Sequence, residues 1–439
     1  MLNRKYANLM TTGPASIHGE VKSEQVESLE SEKIKVKVKK NEQGQGQEKQ
    51  KKIKKKEEPY KDPIPKEIKE EKEAVEDERA LEWGEPKESA IEPEEEDRGP
   101  DLTPEMIEKL TLLGKEIMKQ WDLEVIDLEV IQGAQMALVW KVTTPDGPVC
   151  LKRINRPEKK ALFSVYAQND LAEKGARVPS ILITKEKQLY AKHGPFLFVV
   201  YEWIEGRQFD LTVPDDVAWM MKGLAEYHLN SVGYRPPEGV PETSKLGQWP
   251  KHYTKRCKQM ESWMLIAEKQ PEDPFSKFYL ETIDEFITSG WNTLNELENS
   301  YYNEWVEESK REPMLCHQDY GTGNTMLLND EVWVIDLDTT AYDLPIRDLR
   351  KIIIPLMSDS LAWQDEMFDH MLSSYEQVNP LSVEQKKVMY IDMMFPYELY
   401  DVARDKFSLQ GEVDPLALEE AETFERLKNE KINHYLEQL

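Results

Sequence analysis

The residues richest in chemistry lie between Cys316 and Asp348. There His317-Gln-Asp319-Tyr-Gly-Thr-Gly-Asn324 is followed, past the apolar stretch Val332-Trp-Val-Ile335, by Asp336-Leu-Asp338. Their types and spacing suit metal-assisted phosphoryl transfer from ATP. That reaction asks little covalent work of a protein: a hydroxyl nucleophile must be oriented and phosphate charge neutralised. Asp319 is the residue placed to accept the hydroxyl proton. Asn324 follows five residues later, beyond Gly321 and Gly323, and its amide oxygen can turn back toward a divalent cation. Asp336 would supply the second metal ligand. Mg²⁺ takes oxygen donors and keeps several waters, so these two groups and the ATP phosphates suffice. His317 reads as a structural support that bonds backbone near the metal-binding aspartate, and Asp348 as a second support, holding the catalytic-loop backbone from the next helix. Asp338 would share the face of Asp336 by strand alternation and is a second acid for metal or substrate. Asp and Asn also favour ordinary turns. What argues against turns here is co-occurrence of the His-x-Asp-x-x-x-x-Asn spacing, the apolar strand and the seventeen-residue step from Asp319 to Asp336.

Such a site needs a lobe that grips ATP, and the preceding sequence has its parts. Glu124 to Ile131 alternates as a strand, Gln132-Gly133-Ala-Gln-Met-Ala137 reads as a tight loop, and Leu138 to Val142 resumes the strand. Thr144-Pro-Asp-Gly147 then turns the chain into Val149-Cys-Leu-Lys152-Arg-Ile154, so Lys152 sits where a lysine would pair the α and β phosphates. Gly133 is the sole glycine of the loop that would cover them. In kinases a helix glutamate holds this lysine. The helix expected over Lys160 to Lys174 offers Ser164 and Gln168 near that place, and Glu173 only at its end. Phe196 to Tyr201 reads as a buried strand. Glu202, Trp203 and Ile204 leave it as a hinge ending at Gly206, where backbone groups would bond adenine.

The first helix should start at Thr103-Pro104-Glu105, with an N-cap, a proline at the first helical position and an early carboxylate. Met106, Ile107, Leu110, Leu113, Ile117 and Trp121 mark its apolar face. Past the hinge, helical periodicity runs over Asp215 to Leu229, Phe275 to Arg311, Val383 to Phe407 and Pro415 to Leu439. The aromatic residues Trp249, Tyr253, Trp263, Trp291, Tyr301 and Trp305 lie among acids in a helical insertion; they read as core, with a cation-binding aromatic site as the alternative.

Cys316 to Asn324, Trp333 to Asp338, Tyr342-Asp-Leu-Pro-Ile-Arg-Asp-Leu-Arg-Lys351, and Ala167-Gln168 with Gly175-Ala-Arg-Val-Pro179 carry a family resemblance. The chain resembles the aminoglycoside phosphotransferase and choline kinase superfamily and, within it, the CotS family of bacterial spore coat proteins, over about residues 105 to 435. The resemblance implies an α+β, bilobal, protein-kinase-like fold: a small lobe over 101–203 with an antiparallel sheet, and a mainly helical lobe over 204–439. It also implies ATP and Mg²⁺ as cofactors, synthesis in the mother-cell cytoplasm and assembly into the endospore coat. Asp319, Asn324 and Asp336 match the superfamily's catalytic and metal positions. Its helix glutamate has no clear counterpart.

Composition sets the outer limits. The first 100 residues are poor in aromatics and rich in Lys, Glu and Gln, too polar to offset chain entropy by burial, and are expected to be disordered. Within them Lys33 to Lys56 is basic and Glu57 to Asp97 acidic. Attachment to other coat proteins is the role this tail suits. A net charge of −27 argues against nucleic acid as partner. No stretch approaches the roughly 20 apolar residues that span a bilayer, and no signal peptide follows Met1. Cys150, Cys257 and Cys316 are too few and scattered for a disulfide frame or zinc site, and read as buried thiols. Two functions fit: a phosphotransferase acting on a hydroxyl of a small molecule, glycan or coat protein, or a coat scaffold that keeps a kinase fold with a weak or inactive site.

Overall fold

The structure, a computed structural model, describes residues 103–133 and 138–439. The charged segment with its expected disorder and the tip of the loop after Gly133 lie outside the described residues.

Helix α1 (Pro104–Met118) starts as its sequence requires: the Thr103 side chain accepts the Met106 N–H at 3.2 Å and Pro104 stands in the first turn. Its last turns bury Ile117 and Met118. Its first does not: Met106 and Ile107, which the periodicity counts in the apolar face, are 40 % and 42 % exposed. Trp121 and Trp140 fasten α1 by donating to the carbonyls of Leu182 (2.7 Å) and Leu110 (3.2 Å).

The sheet is antiparallel throughout, with β1 (Asp127–Gln132), β2 (Leu138–Thr144), β3 (Gly147–Ile154), β6 (Phe196–Glu202) and β4 (Ile181–Leu182) in that order, and β5 (Ala191–His193) pairing with β6. Successive side chains take opposite faces. Trp140, Leu151 and Val200 pack toward α1, while Ile154, Leu197 and Val199 pack toward α2 (Glu158–Glu173) with Ala161 and Val165. Lys152 is registered between Val139 and Val199, which puts it on the α2 face.

After β6 the chain crosses to the helical lobe. Arg207 and Leu327 exchange backbone hydrogen bonds of 3.0 and 2.8 Å. Gly206 permits this approach, because a Cβ there would lie 2.8 Å from the Leu327 carbonyl oxygen. The lobe holds α3 (Pro214–Asn230), α4 (Trp249–Ala267), α5 (Pro274–Glu298), α6 (Tyr302–Arg311), α7 (Ile346–Asp359), α8 (Asp365–Glu376), α9 (Val383–Met393), α10 (Tyr397–Phe407) and α11 (Pro415–Glu437) around one continuous core. Two expected long helices are each a pair. The run from Phe275 to Arg311 breaks because the Ser300 hydroxyl donates to Leu297 and accepts the Tyr302 N–H, competing with the helix backbone. The run from Val383 to Phe407 breaks before Pro396, which has no N–H and disfavours helix in the residue before it. Among the described residues no helix is long and apolar enough to cross a membrane.

Two short ribbons inside this lobe present the functional loops. Strand β7 (Leu315–Cys316) pairs with β10 (Ala341–Tyr342), and β8 (Thr325–Leu328) with β9 (Glu331–Val334). The segment 317–324 connects β7 to β8, and 335–340 connects β9 to β10. Both loops therefore leave neighbouring strand ends.

Candidate active site

Asp348, wholly buried near the start of α7, anchors the first loop. Its carboxylate accepts the backbone N–H groups of His317 (2.6 Å) and Gln318 (3.0 Å) and lies 3.2 Å from His228 Nε2. Burial opposes its charge, but the His228 hydrogen bond and the nearby cations, Arg347 among them, outweigh this and bring the carboxyl down to about 2. Gln318 needs the help: its φ of 72° is an uncommon conformation for a residue with a side chain. It is pinned further by Arg347, which donates to its carbonyl at 2.5 Å, and by Asp343, which accepts its side-chain amide at 3.2 Å. Cys316 is a packed thiol donating to the Leu344 carbonyl at 3.3 Å. It lies close to His228 and Asp348, yet all three polar groups have hydrogen-bond partners and form a structural knot rather than a metal site.

His317 bonds the backbone carbonyl of Ile335 at 2.9 Å, one residue before Asp336, and so ties the two loops together. On the first loop, Asn324 Nδ2 donates to the Asp319 carbonyl (2.8 Å) and carboxylate (3.0 Å), which leaves its amide oxygen for another partner. Burial pushes the Asp319 carboxyl up from its ordinary value, and the charge of Asp336 adds to the shift.

On the second loop Asp336 adopts a left-handed conformation (φ 59°, ψ 61°) and leads into the 3₁₀ turn Leu337–Thr339. Strand alternation therefore does not govern Asp338, contrary to the face-sharing expectation. The turn brings both carboxylates to one cation instead: Lys152 Nζ lies 2.6 Å from Asp336 and 2.9 Å from Asp338. Burial disfavours the lysine charge, and the two carboxylates reverse this and hold it well above the usual lysine range. Packing likewise disfavours the charge of Asp336, but Lys152 overrides it and keeps that carboxyl below the usual range. Burial and the Asp336 charge push Asp338 up. The triad answers what holds the lysine without a helix glutamate. Ser164 and Gln168 on α2 bond the carbonyls of Ala161 (3.0 Å) and Pro179 (2.8 Å), and Glu173 accepts from Asn169 on the exposed face.

At the crossing between lobes, the Glu202 N–H donates to Ser180 at 2.9 Å, Ile204 is buried, and Lys141 lies 4.7 Å over the ring of Trp203. Gly133 follows directly on β1. Of the insertion aromatics, Trp249, Tyr253, Trp263 and Trp305 are core residues. Sequence reasoning passed over His228, Asp343 and Arg347. The Asp343 and Arg347 pair had a signal in its closeness to Asp348, but His228 had none, being 120 residues away from it.

A lysine-bearing antiparallel sheet, joined to a helical lobe whose ribbons present Asp319, Asn324 and Asp336, defines a protein-kinase-like fold of the aminoglycoside phosphotransferase type. An aminoglycoside phosphotransferase from Alicyclobacillus acidocaldarius superimposes with a TM-score of 0.60 at 18 % identity, covering 74 % of this chain and 96 % of that one. Spectinomycin phosphotransferase APH(9)-Ia, solved with ADP and spectinomycin, gives 0.50 at 15 % identity over 77 % of this chain and 100 % of that one. Residues 149–438 match the model of the family described as spore coat putative kinase YutH, and the chain belongs to that family. It is 28 % identical to spore coat protein S of Bacillus subtilis (strain 168) over 259 residues, 59 % of this chain and 74 % of that protein. It is also 24 % identical to endospore coat-associated protein YutH of the same strain over 193 residues, 42 % of this chain and 53 % of that one. The CotS resemblance and the bilobal fold expected from it are thus borne out.

Proposed function

We propose that this chain is a spore-coat-associated phosphotransferase that moves the γ-phosphoryl group of ATP to a hydroxyl. The observation that carries the reading is the convergence of Lys152, Asp319, Asn324 and Asp336 from two lobes and two loops. The donor set fits Mg²⁺: Asn324 has its amide nitrogen engaged and its oxygen left over, and the Asp336 side chain is 45 % exposed. Bound there, the ion would neutralise phosphate charge. Asp319 orients the acceptor hydroxyl and takes its proton as the oxygen bonds to phosphorus. The bond to the β-phosphate oxygen breaks and ADP leaves. Its raised pKa makes Asp319 a better proton acceptor than an ordinary carboxylate. Lys152 binds the α and β phosphates, and Asp338 keeps it oriented in the role a helix glutamate plays elsewhere. The backbone of 202–204 would receive adenine.

The scaffold alternative rested on a lysine without an anchor, and Lys152 has two carboxylates. Synthesis in the mother cell, assembly into the coat, and attachment to other coat proteins through residues 1–100 complete the proposal. Calorimetric titration of ATP into the full chain should show binding that depends on Mg²⁺ and is lost in Asp336→Ala. Asp319→Asn should bind ATP as the wild type does but hydrolyse or transfer at least a hundredfold more slowly. Unchanged turnover in that variant would remove Asp319 as the base.

A further inference from the structure

A cavity of about 260 Å³ opens between residues 175–178, helix α3 and the β8–β9 ribbon. This is close to the lower end of the roughly 300–1,000 Å³ that small-molecule sites occupy. It belongs neither to the nucleotide site nor to the catalytic loops, since Lys152, Asp319, Asn324 and Asp336 do not line it. Its walls are fixed to one another. Gly223 lets α3 press on β9, where a Cβ would lie 2.5 Å from Val332 Cγ1. The Val334 N–H holds the Arg177 carbonyl at 2.8 Å, and the Arg177 guanidinium bonds Glu331. Val178, Val332 and Val334 supply a buried apolar lining. Trp219, Lys222, Glu226 and Asn230 follow at helical spacing along α3 and form one stripe of the wall, and Asp330 joins them from the β8–β9 turn. Among the described residues, Lys222, Glu226, Asn230 and Asp330 line the cavity without a hydrogen bond or ion pair, and the Trp219 indole N–H is equally unengaged. Trp219 keeps 36 % of its surface exposed, which leaves a flat apolar face beside these polar groups.

The charges select against ions. Arg177 and Glu331 neutralise each other, Lys222 opposes a cation, and Glu226 and Asp330 oppose an anion. What remains is hydrogen-bonding capacity of both kinds: donors on Lys222 and the indole, acceptors on Glu226 and Asp330, and one of each on the Asn230 amide. A pyranose ring uses all of it. Its hydroxyls donate and accept at once, and its face of C–H groups packs on an indole, a ring that pairs an apolar surface with a polar edge. We infer that the cavity is a binding site for a neutral saccharide, with one ring packed on Trp219 and its hydroxyls bonded by Lys222, Glu226, Asn230 and Asp330. The site lies outside the phosphotransferase reading and does not depend on it.

Saturation-transfer NMR on the full chain tests this, with methyl β-glucoside, N-acetylglucosamine, galactose and rhamnose as probes and with acetate, choline and glutamine as anionic, cationic and zwitterionic controls. At least one sugar should receive saturation, most strongly on the ring C–H protons that meet Trp219. It should bind about tenfold more weakly in Trp219→Ala and in Asn230→Ala. Both residues lie on the surface, so the two variants should keep the wild-type Tm and the wild-type response to ATP–Mg²⁺. Saturation of none of the sugars overturns the inference, and so does binding confined to the charged controls. Sugar binding that survives both substitutions overturns it too, because the sugar then sits elsewhere. Sugar binding that needs Trp219 in a chain that binds no ATP–Mg²⁺ would uphold this site and overturn the phosphotransferase reading alone.

Discussion

Lys152 shows how one missing side chain is replaced by geometry. A buried ammonium without a counter-charge would shed its proton, so the sheet lobe needs a carboxylate, and it comes from across the cleft. Of the two that arrive, Asp336 keeps its charge below the usual range while Asp338 is driven up. On the proposed reading Asp336 is the metal ligand and Asp338 the residue that keeps the lysine oriented. Asp338→Asn keeps the shape and removes the charge. A hydrogen bond between charged groups is worth about 1.5–3 kcal/mol, and Asp336 would still hold part of it. ATP–Mg²⁺ affinity measured by calorimetry should therefore fall about tenfold with its metal dependence intact. Loss of metal dependence with little change in nucleotide affinity would make Asp338 a metal ligand instead. Asp319, Asn324 and Asp336 were legible in the sequence because their relation is a short spacing along one chain segment. The reach of Asp338 to Lys152 was not, because it depends on a left-handed residue at Asp336, a conformation that pattern alone gives no reason to expect of an aspartate.

At the scale of elements, the loops depend on α7, whose buried Asp348 replaces the strand partners that the loop backbone lacks. A carboxyl near 2 in the folded protein and near 3.9 unfolded contributes stability that is complete above about pH 4 and lost as pH falls toward 2, on the order of 2 kcal/mol. Asp348→Asn removes that charge and turns an amide toward N–H donors. It should cost on the order of 3 kcal/mol at pH 7. The gap between wild type and variant in urea unfolding should narrow as pH is lowered from 4 to 2.5. A gap that stays constant over that range would mean the carboxylate charge contributes nothing. The elements themselves were largely visible: strands β1, β2, β3 and β6 and helix α2 lie within a few residues of their expected ranges. The two helix breaks were not visible, because apolar periodicity continues through Ser300 and Pro396 while backbone hydrogen bonding does not.

In the whole molecule, polar ties between the two lobes include Lys152 with the aspartate pair, the Val334 N–H on the Arg177 carbonyl at 2.8 Å, Arg177 with Glu331, and the Tyr234 hydroxyl on the Phe163 carbonyl at 3.2 Å. The bilobal class was legible because alternation and helical periodicity occupy separate stretches of the chain. A ligand that bridges the lobes should act on their stability together. Anything that binds only the folded state adds RT ln(1 + [L]/Kd), about 2.7 kcal/mol at one hundred times Kd. At a conversion of about 2 °C per kcal/mol for a large domain, ATP with Mg²⁺ at that concentration should raise Tm by about 5 °C. Mg²⁺ alone should do little, because Asp336 without phosphate is already paired with Lys152. ATP with chelator should give little shift, and the shift with ATP and Mg²⁺ should be lost in Asp336→Ala. If thermal scanning instead shows the full shift in Asp336→Ala, the metal is held by other groups and the pairing of Asn324 with Asp336 is wrong.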